Sequence, residues 1–205
     1  MENKYKLDNN ETIKYYDTNA DSFVDATINA DVSELYKKFE SLIPPGSRIL
    51  DIGCGSGRDS RYFTQKGFHV TAIDPSSVMC KKTRDIVHIP VITMKAEDIQ
   101  YEKEFDAVWA CASLLHVSRE NMPKTIKAII RSLKPGGVFY GSWKYGEEDR
   151  FFDGRTFTDY TEESLGNVLR KTSSIEVVEM WITNDVRRER SSEQWLNVLM
   201  IAGKK

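Results

Sequence analysis

Cysteine, long apolar runs and net charge are all scarce in this sequence, and each scarcity excludes a class of protein. Three cysteines occur in 205 residues without paired spacing, so we expect reduced thiols and neither a disulfide framework nor a metal site. No apolar run reaches the roughly 18 residues that a membrane-spanning helix needs, so no membrane contact is expected. A formal net charge of −2 lacks the basic excess of a general nucleic-acid binder, so no nucleic-acid partner is expected.

The remaining composition is that of an ordinary globular protein. Hydrophobic residues make up 40% of the chain and charged residues 29%, and 205 residues are enough for one domain with a proper core. The N-terminal stretch is polar and has no apolar core, so we expect no secretory signal. These features predict a cytoplasmic protein and leave its oligomeric state open.

The sequence is organised around a glycine-rich stretch at residues 48–59. Residues 48–52 form a short apolar run suited to a buried parallel strand, and helical spacing begins after Gly57. Together with Gly53 and Gly55, this glycine requires a sharp turn and the close approach of a ligand. In a βαβ unit the turn lies at the carboxyl edge of the sheet, where bare backbone N–H groups favour a polar ligand.

The spacing of the glycines indicates the class of ligand. A dinucleotide fingerprint has a small residue three places after its second glycine, but that position is Arg58, which disfavours NAD. Residues 68–73 predict a second strand that ends at Asp74, about 20 residues downstream, where an acid meets ribose hydroxyls in such folds. The two strands together predict an adenosine site without a pyrophosphate signature.

Strand and helix patterns alternate along most of the chain, which predicts a doubly wound, mostly parallel α/β sheet. The last two of seven strands are predicted to form a hairpin, which makes the final strand antiparallel. The predicted strands are residues 48–52, 68–74, 90–94, 104–111, 138–144, 175–183 and 194–202. The predicted helices between them are residues 58–66, 78–87, 121–133 and 161–171, and residues 145–160 are expected to be a polar loop.

The segment before the first strand predicts appended helices and not a second domain. Residues 11–28 place aromatic and small side chains on one helical face. Asp31 and Glu34 have the spacing of a capping box at the start of a second amphipathic helix. The predicted organisation is a helical segment at residues 1–46 and one domain at residues 47–205.

Four motifs in order resemble those of the class I S-adenosylmethionine-dependent methyltransferases: Asp51 to Gly57, Asp74, Ala96-Glu97-Asp98 and Lys134-Pro135-Gly136-Gly137. In general layout the chain looks closest to bacterial small-molecule methyltransferases of the tellurite-resistance type. The resemblance implies a Rossmann-like methyltransferase fold in which residues 1–46 form a helical lid. It also implies S-adenosyl-L-methionine as the cofactor and methyl transfer to a small-molecule acceptor by in-line displacement.

The same resemblance places cofactor contacts at the ends of the strands. Asp51 is expected to accept from the cofactor's ammonium, directly or through water, and Asp74 to accept from the ribose hydroxyls. Asp98, with the Glu97 backbone, is expected to meet the adenine amine. The full set of expected cofactor-binding residues is Asp51, Gly53, Cys54, Gly55, Asp74, Pro75, Met79, Glu97, Asp98, Cys111 and Tyr16.

His116 and Tyr16 are the candidate catalytic residues. His116 follows the fourth predicted strand, where the family places substrate or catalytic groups, and an unperturbed imidazole there is a base at neutral pH. A histidine that closes the pocket or bonds to the backbone is the alternative. Tyr15 or Tyr16 of the lid is expected to stack near the sulfonium. Residues 110–113 lack the Asn/Asp-Pro-Pro-aromatic motif of methyltransferases that modify nucleic-acid bases.

The loops that leave the fifth and sixth strands emerge on the cofactor face and are rich in arginine. Their guanidinium groups can form a fork-like site for a carboxylate, phosphate or oxyanion acceptor; a mixed, solvated surface is the alternative, because acidic residues lie among them. The arginines are Arg150, Arg155, Arg187, Arg188 and Arg190, and the expected acceptor-binding residues are Tyr145, Arg155, Arg187 and Arg190. Candidate walls of the pocket are Tyr15, Tyr16, Trp143, Tyr145, Tyr160 and Trp195.

Two further functions stay open. One is methylation of RNA or protein, for which a partner would supply the affinity that the near-neutral charge does not. The other is a non-catalytic nucleotide-binding or regulatory module that keeps the cofactor pocket without turnover.

Overall fold

The computed structural model describes residues 9–172 and 175–203. The strands within this part are β1 (Arg48–Ile52), β2 (His69–Asp74), β3 (Val91–Thr93), β4 (Phe105–Ala110), β5 (Leu133–Lys144), β6 (Asp149–Phe152), β7 (Arg155–Thr158), β8 (Ile175–Asn184) and β9 (Gln194–Ala202). Seven of them form one sheet in the order β3-β2-β1-β4-β5-β9-β8, in which β9 runs antiparallel to the six other strands. The predicted mostly parallel sheet with an antiparallel last strand is therefore confirmed.

Helices cover both faces of this sheet, as the alternating pattern predicts. They are α1 (Asn9–Thr18), α2 (Ala20–Thr27), α3 (Ser33–Glu40), α4 (Arg58–Gln65), α5 (Ser77–Ile86), α6 (Met122–Ser132) and α7 (Glu162–Arg170). Short 3₁₀ turns lie at Ala96–Asp98, Leu114–His116 and Arg188–Arg190. None of the helices in the described part of the chain has the length and apolar character needed to cross a membrane.

Alternation along the central strands divides the core into two layers. Ile49 of β1 and Trp109 of β4 face α3 and α4, where they meet Phe39 and Phe63. Leu50, the next residue of β1, joins the opposite layer, which includes the buried face of α6. Because successive side chains of a strand point to opposite faces, a short apolar strand buried on both sides is what the residue pattern required.

The strand order places the candidate site at the centre of the sheet. The chain moves outward from β1 through β2 to β3 and then returns to the other side of β1 with β4. A topological switch point therefore lies between β1 and β4, and in open α/β sheets ligands bind at the carboxyl ends of the strands there. The glycine turn that follows β1 lies at this position.

The expectation of a polar loop at residues 145–160 is wrong, because this segment forms the β6–β7 hairpin. Phe152 pairs with Arg155 across a two-residue turn, Asp153-Gly154, in which both residues have positive φ, 51° and 73°. An Asp-Gly pair with positive φ at both positions is the favoured type I′ hairpin turn. This signal outweighs the polar composition of the segment.

The N-terminal segment differs from prediction at two points. Residues 11–28 form two helices, α1 and α2, with a break at Asn19, whose side-chain amide donates to the Tyr15 carbonyl at 2.9 Å. The predicted capping box at Asp31 is wrong, because Val32 is the N-cap and Asp31 accepts from the Ser33 N–H at 2.9 Å. Both side chains form local bonds to the backbone that compete with a regular helix start. The first eight residues of the proposed lid lie outside the described residues.

Candidate functional site

The glycine turn after β1 has a backbone that side chains would obstruct. Gly53 and Gly55 have positive φ, 74° and 50°, and the N–H groups of Gly53 and Cys54 both donate to the Ile73 carbonyl at the end of β2. A Cβ on Gly53 would lie 2.3 Å from the Cβ of Ser113. Glycine is therefore required here both for its conformation and for its lack of a side chain.

Asp74, at the end of β2, is held beside this turn. It is 7% exposed, and its two carboxylate oxygens accept from the Gly55 N–H at 3.0 Å and the Ser76 N–H at 2.8 Å. Burial raises the pKa of Asp74 to about 6, although the two amide bonds act in the opposite direction. At neutral pH the side chain is mostly an oriented carboxylate with lone pairs left for a ligand.

Two clefts open at the carboxyl edge of the sheet. The first, with an open volume of about 780 Å³, is lined by Asp74, Pro75, Met79 and Glu97 among others. The second, of about 1030 Å³, extends towards the ends of β5 and β8 and the start of β9, and its lining includes Arg155, Arg187 and Arg190. The two share one wall, which consists of Tyr16, Phe23, Gly53, Gly55, Ala112 and His116.

Tyr16 and His116 form a hydrogen-bonded pair in the shared wall. The Tyr16 hydroxyl lies 2.8 Å from His116 Nε2, and His116 Nδ1 lies 2.6 Å from the Thr156 carbonyl oxygen. A carbonyl only accepts, so Nδ1 carries the proton and Nε2 accepts from the Tyr16 hydroxyl. Burial lowers the pKa of His116 to about 4. The expectation of an unperturbed imidazole is therefore wrong, because the buried ring is neutral with a defined tautomer.

A buried charged network supports the turn from below. Arg58 and Asp59 pair at 2.6 Å, and the indole of Trp109 also donates to Asp59 at 2.8 Å. Burial opposes the charge of Asp59, but these donors, Arg58 above all, hold its pKa below the usual range. Burial and the Asp59 charge together raise the pKa of Asp51 to about 8, and Ser60 donates to Asp51 at 2.6 Å. Asp51 is thus packed beneath the turn.

The arginine half of the second cleft contains both paired and incompletely paired cations. Asp185 accepts two hydrogen bonds from the Arg187 side chain, at 2.6 and 2.9 Å. Burial raises the pKa of Asp185, but these bonds and the charge of Arg187 have the larger effect and hold the pKa below its usual range. Arg155 is only 6% exposed, donates to Asp153 at 3.0 Å and lies 4.1 Å from the ring centroid of Tyr15. Arg190 also lines the cleft.

Most of the residues predicted for the site do meet there. The first cleft is lined by Tyr16, Gly53, Gly55, Asp74, Pro75, Met79, Glu97 and His116. The second is lined by Cys54, Cys111, Arg155, Arg187, Arg190 and Trp195. Burial raises the pKa of Cys111 to about 11, so this residue is a neutral thiol at the cleft wall.

Several predicted residues do not line either cleft. Asp51 is buried below the turn, and Asp98 is exposed at the end of a short 3₁₀ turn that directs Ala96 and Glu97 into the cleft instead. Tyr145 is 37% exposed and lies outside the lining. Arg150 pairs with Asp159, Tyr15 lies against Arg155, and Trp143 and Tyr160 are core residues. The Arg188 side chain lies outside the described residues.

Two residues of the site escape the sequence patterns. Ala112 has a left-handed φ of 53°, unusual for a residue with a side chain, and its N–H donates to Ser142 at 2.8 Å. Ser113 lines the first cleft, and its buried hydroxyl has no hydrogen-bond partner among the described residues. The only local signal is their position after β4, on the edge where ligands bind.

The sheet has the Rossmann-like fold seen in solved methyltransferase structures. A family model for a methyltransferase domain matches residues 49–137, from β1 to the start of β5. The Bacillus subtilis protein YqeM, whose methyltransferase name is provisional, is 32% identical over 138 residues, which are 62% of this chain and 55% of YqeM. The chain spans about half the length of such curated relatives.

Solved structures agree on the fold. A Burkholderia thailandensis 1,6-didemethyltoxoflavin N1-methyltransferase, with its acceptor and S-adenosylhomocysteine bound, has a TM-score of 0.76 at 19% identity and covers 96% of this chain and 88% of its own. The [4+2]-cyclase SpnF has a TM-score of 0.72 at 18% identity, with coverage of 95% and 96%. Because a cyclase shares the fold, the reaction must be argued from the site.

Proposed function

We propose that this chain is an S-adenosylmethionine-dependent methyltransferase that acts on a small molecule. The observation that carries the proposal is the junction of the two clefts at Tyr16, Gly53 and His116. One side offers the ribose-binding acid Asp74, and the other offers a polar, cation-lined chamber. A methyl group transferred between two bound molecules has to pass through such a junction.

The residues of the first cleft fit the adenosine and methionine parts of the cofactor. Asp74 presents a fixed carboxylate to ribose hydroxyls. The glycine turn has no side chains in the way, so the ligand can approach its backbone closely. Ser113 adds a buried hydroxyl with no partner among the described residues, which suits a ligand polar group. The bound cofactor supplies an electrophilic methyl group on a sulfonium. Asp51 stays a candidate for the cofactor's ammonium only through water, because it lies below the cleft surface.

Tyr16 and His116 provide the acid–base chemistry that an acceptor hydroxyl or amine requires. The Tyr16 hydroxyl donates to His116, so its oxygen can accept a hydrogen bond from the acceptor. As the acceptor loses its proton to the Tyr16 oxygen, the Tyr16 proton passes to Nε2 of His116. Because the pKa of His116 is about 4, this base is weak, and positioning and water exclusion carry most of the catalysis.

The partial cover over the site supports a small acceptor. The N-terminal helix α1 packs on β7 through the hydrogen bond between Thr12 and Thr156 at 3.1 Å, so the lid and the hairpin cover the shared wall. A folded macromolecule would need this cover to open. The Burkholderia thailandensis methyltransferase, which has this fold, has 1,6-didemethyltoxoflavin and S-adenosylhomocysteine bound. The resemblance to the tellurite-resistance type adds tellurite to the candidate acceptors.

The proposal is tested by transfer of a tritiated methyl group from S-adenosylmethionine to a panel of amines, phenols, carboxylates, phosphate esters and tellurite, with total RNA and cell protein as further acceptors. We expect labelling of at least one small molecule and its loss in Asp74→Ala. Asp106→Asn is the matched control, since Asp106 lies at the opposite end of the sheet, on β4, and pairs with Lys134.

The other results separate the alternatives. Labelling of RNA or protein alone would contradict a small acceptor. Tight S-adenosylhomocysteine binding with no labelled product in cell extract would contradict catalysis and favour a non-catalytic module.

A further inference from the structure

The second cleft has an excess of positive charge near the ends of β5, β7 and β8. Its lining contains five cationic side chains and two anionic ones, so the chamber attracts anions overall. The cations are Arg58, Lys144, Arg155, Arg187 and Arg190, and the anions are Asp59 and Asp185. Only the cations that lack a close carboxylate partner in the protein are available to bind an anion.

Three of the five have a close carboxylate partner with little solvent around it. Arg58 pairs with Asp59, which is 10% exposed in its side chain, and Arg187 pairs with Asp185, which is 2% exposed. Lys144 contacts Asp185 and Glu193 and lies 3.9 Å from the ring centroid of Trp195. These cations build the wall of the chamber and have little capacity left for a ligand.

Arg155 is different, because it is buried but incompletely paired. Its side chain is 7% exposed, whereas its partner Asp153 is 54% exposed and therefore screened by water. Its Nε is buried and has no hydrogen-bond partner among residues 9–172 and 175–203. Burying a guanidinium with an unused donor is costly unless another acceptor arrives.

Arg190 adds a second cation without a carboxylate partner in the described part of the chain. Arg190 ends a short 3₁₀ turn that follows the paired Asp185 and Arg187 along the chain. It lines the same cleft as Arg155. Two guanidinium groups that flank one chamber suit the planar, multi-oxygen shape of a carboxylate or the oxygens of a phosphate.

From this arrangement we infer that the methyl acceptor is an anion, a small carboxylate or phosphate ester, and that Arg155 holds its charged group with the help of Arg190. The inference rests on the proposed function. Arg155, Tyr16 and His116 line one cleft, so the anion is held on the arginine side while the nucleophilic atom faces the junction with the first cleft. Arg155 thus selects the acceptor class, and its guanidinium also interacts with the Tyr16 hydroxyl of the shared wall.

The inference is tested by titrating acetate and inorganic phosphate into protein saturated with S-adenosylhomocysteine, at constant ionic strength in sodium chloride, with thermal stability as the readout. We expect a saturable rise in the midpoint for at least one of the two anions. Arg155→Gln should weaken that anion's affinity roughly ten- to hundredfold, as expected for loss of a charged hydrogen bond. Arg155→Lys should restore part of the affinity.

Two further variants keep the test decisive if Arg155→Gln folds poorly. Arg190→Gln changes a less buried residue and should weaken anion binding severalfold, whereas Arg150→Gln should leave it unchanged. Arg150 is the matched control because it lies on the same hairpin but pairs with Asp159 outside the cleft.

The failure of this inference is distinguishable from that of the proposed function. Binding of S-adenosylhomocysteine without anion-specific stabilisation, or with equal stabilisation in all arginine variants, would overturn only the anionic acceptor. Labelling of a neutral acceptor in preference to its carboxylate or phosphate counterpart would overturn it as well. Absence of S-adenosylhomocysteine binding would overturn the proposed function first.

Discussion

Gly53 is the position at which a single added methyl group should do the most damage for its size. A Cβ there would lie 2.3 Å from the Cβ of Ser113, whereas non-bonded carbons prefer about 3.5–4.0 Å. The residue also has a φ of 74°, in the left-handed region that residues with a side chain avoid. Gly53→Ala therefore combines backbone strain with a steric overlap.

The two contributions can be separated with matched variants. Gly67 has a φ of 86°, but no described atom lies within 4 Å of its added Cβ, so Gly67→Ala reports backbone strain alone. We expect Gly67→Ala to cost about 1–2 kcal/mol of unfolding free energy. Gly53→Ala should cost about 1–3 kcal/mol more, because overpacked sites must displace their neighbours. The double variant Gly53→Ala with Ser113→Gly should recover most of that second contribution.

Urea denaturation of wild type, Gly67→Ala, Gly53→Ala, Ser113→Gly and the double variant gives these free energies, and the double-mutant cycle isolates the coupling between Gly53 and Ser113. We expect a coupling of about 1–3 kcal/mol in favour of the double variant. Equal destabilisation by Gly53→Ala and Gly67→Ala, or no rescue by Ser113→Gly, would refute the close packing of the turn against this loop.

Three further predictions concern the titratable groups of the site. Tyr16→Phe keeps the ring but removes the hydroxyl that donates to His116. We expect kcat with an acceptor from the labelling screen to fall about 100-fold, with little change in S-adenosylhomocysteine affinity. An unchanged kcat would exclude proton transfer through Tyr16 to His116. Because the pKa of Asp74 is about 6, the affinity for S-adenosylhomocysteine should fall about tenfold from pH 7 to pH 5. In Asp74→Asn the affinity measured by calorimetry should no longer depend on pH in this range. The pKa of Asp51 is raised to about 8, so between pH 6 and pH 8 the Asp51 carboxyl is protonated in the folded state but not in the unfolded state. The free energy of unfolding should therefore fall by about 1.4 kcal/mol for each unit that the pH rises in this range. Asp51→Asn should remove this contribution in urea denaturation, and an unchanged pH dependence would argue against a protonated Asp51.

The central part of the site was predictable because its signals are local. The apolar run before Gly53, the glycine spacing and an acid at the end of the second strand are set within about 25 residues by the geometry of one βαβ unit. Asp74 and the glycine turn therefore lie where the sequence predicts them. The antiparallel last strand follows equally directly from two strand patterns joined by a short charged loop.

The sequence predicts less well which of two neighbouring residues faces the cleft. The strand β3 has only three residues, and a short 3₁₀ turn follows it, so Glu97 lines the cleft while Asp98 is exposed. Tyr15 and Tyr16 are adjacent on α1 and point about 100° apart, and only the packing of that helix selects Tyr16. Sequence spacing carries no signal for such choices.

Other features depend on contacts between distant segments. His116 is buried beneath the β6–β7 hairpin, and this burial lowers its pKa although the bond to the Thr156 carbonyl, forty residues later in the chain, acts in the opposite direction. Ser113 approaches Gly53 only after β1 and β4 pair, although sixty residues separate them. The Asp153-Gly154 turn was recognisable from the sequence, since Asp-Gly is a strong hairpin signal, and the polar composition around it concealed the strands.

The central claim is that the first cleft binds the methyl donor, and isothermal titration calorimetry of S-adenosylhomocysteine tests it most directly, with NAD as the competing ligand. We expect micromolar S-adenosylhomocysteine binding, at least about tenfold weaker binding in Asp74→Ala, unchanged binding in Asp106→Asn, and no heat from NAD. Binding of NAD in place of S-adenosylhomocysteine, or S-adenosylhomocysteine binding that Asp74→Ala leaves intact, would contradict it.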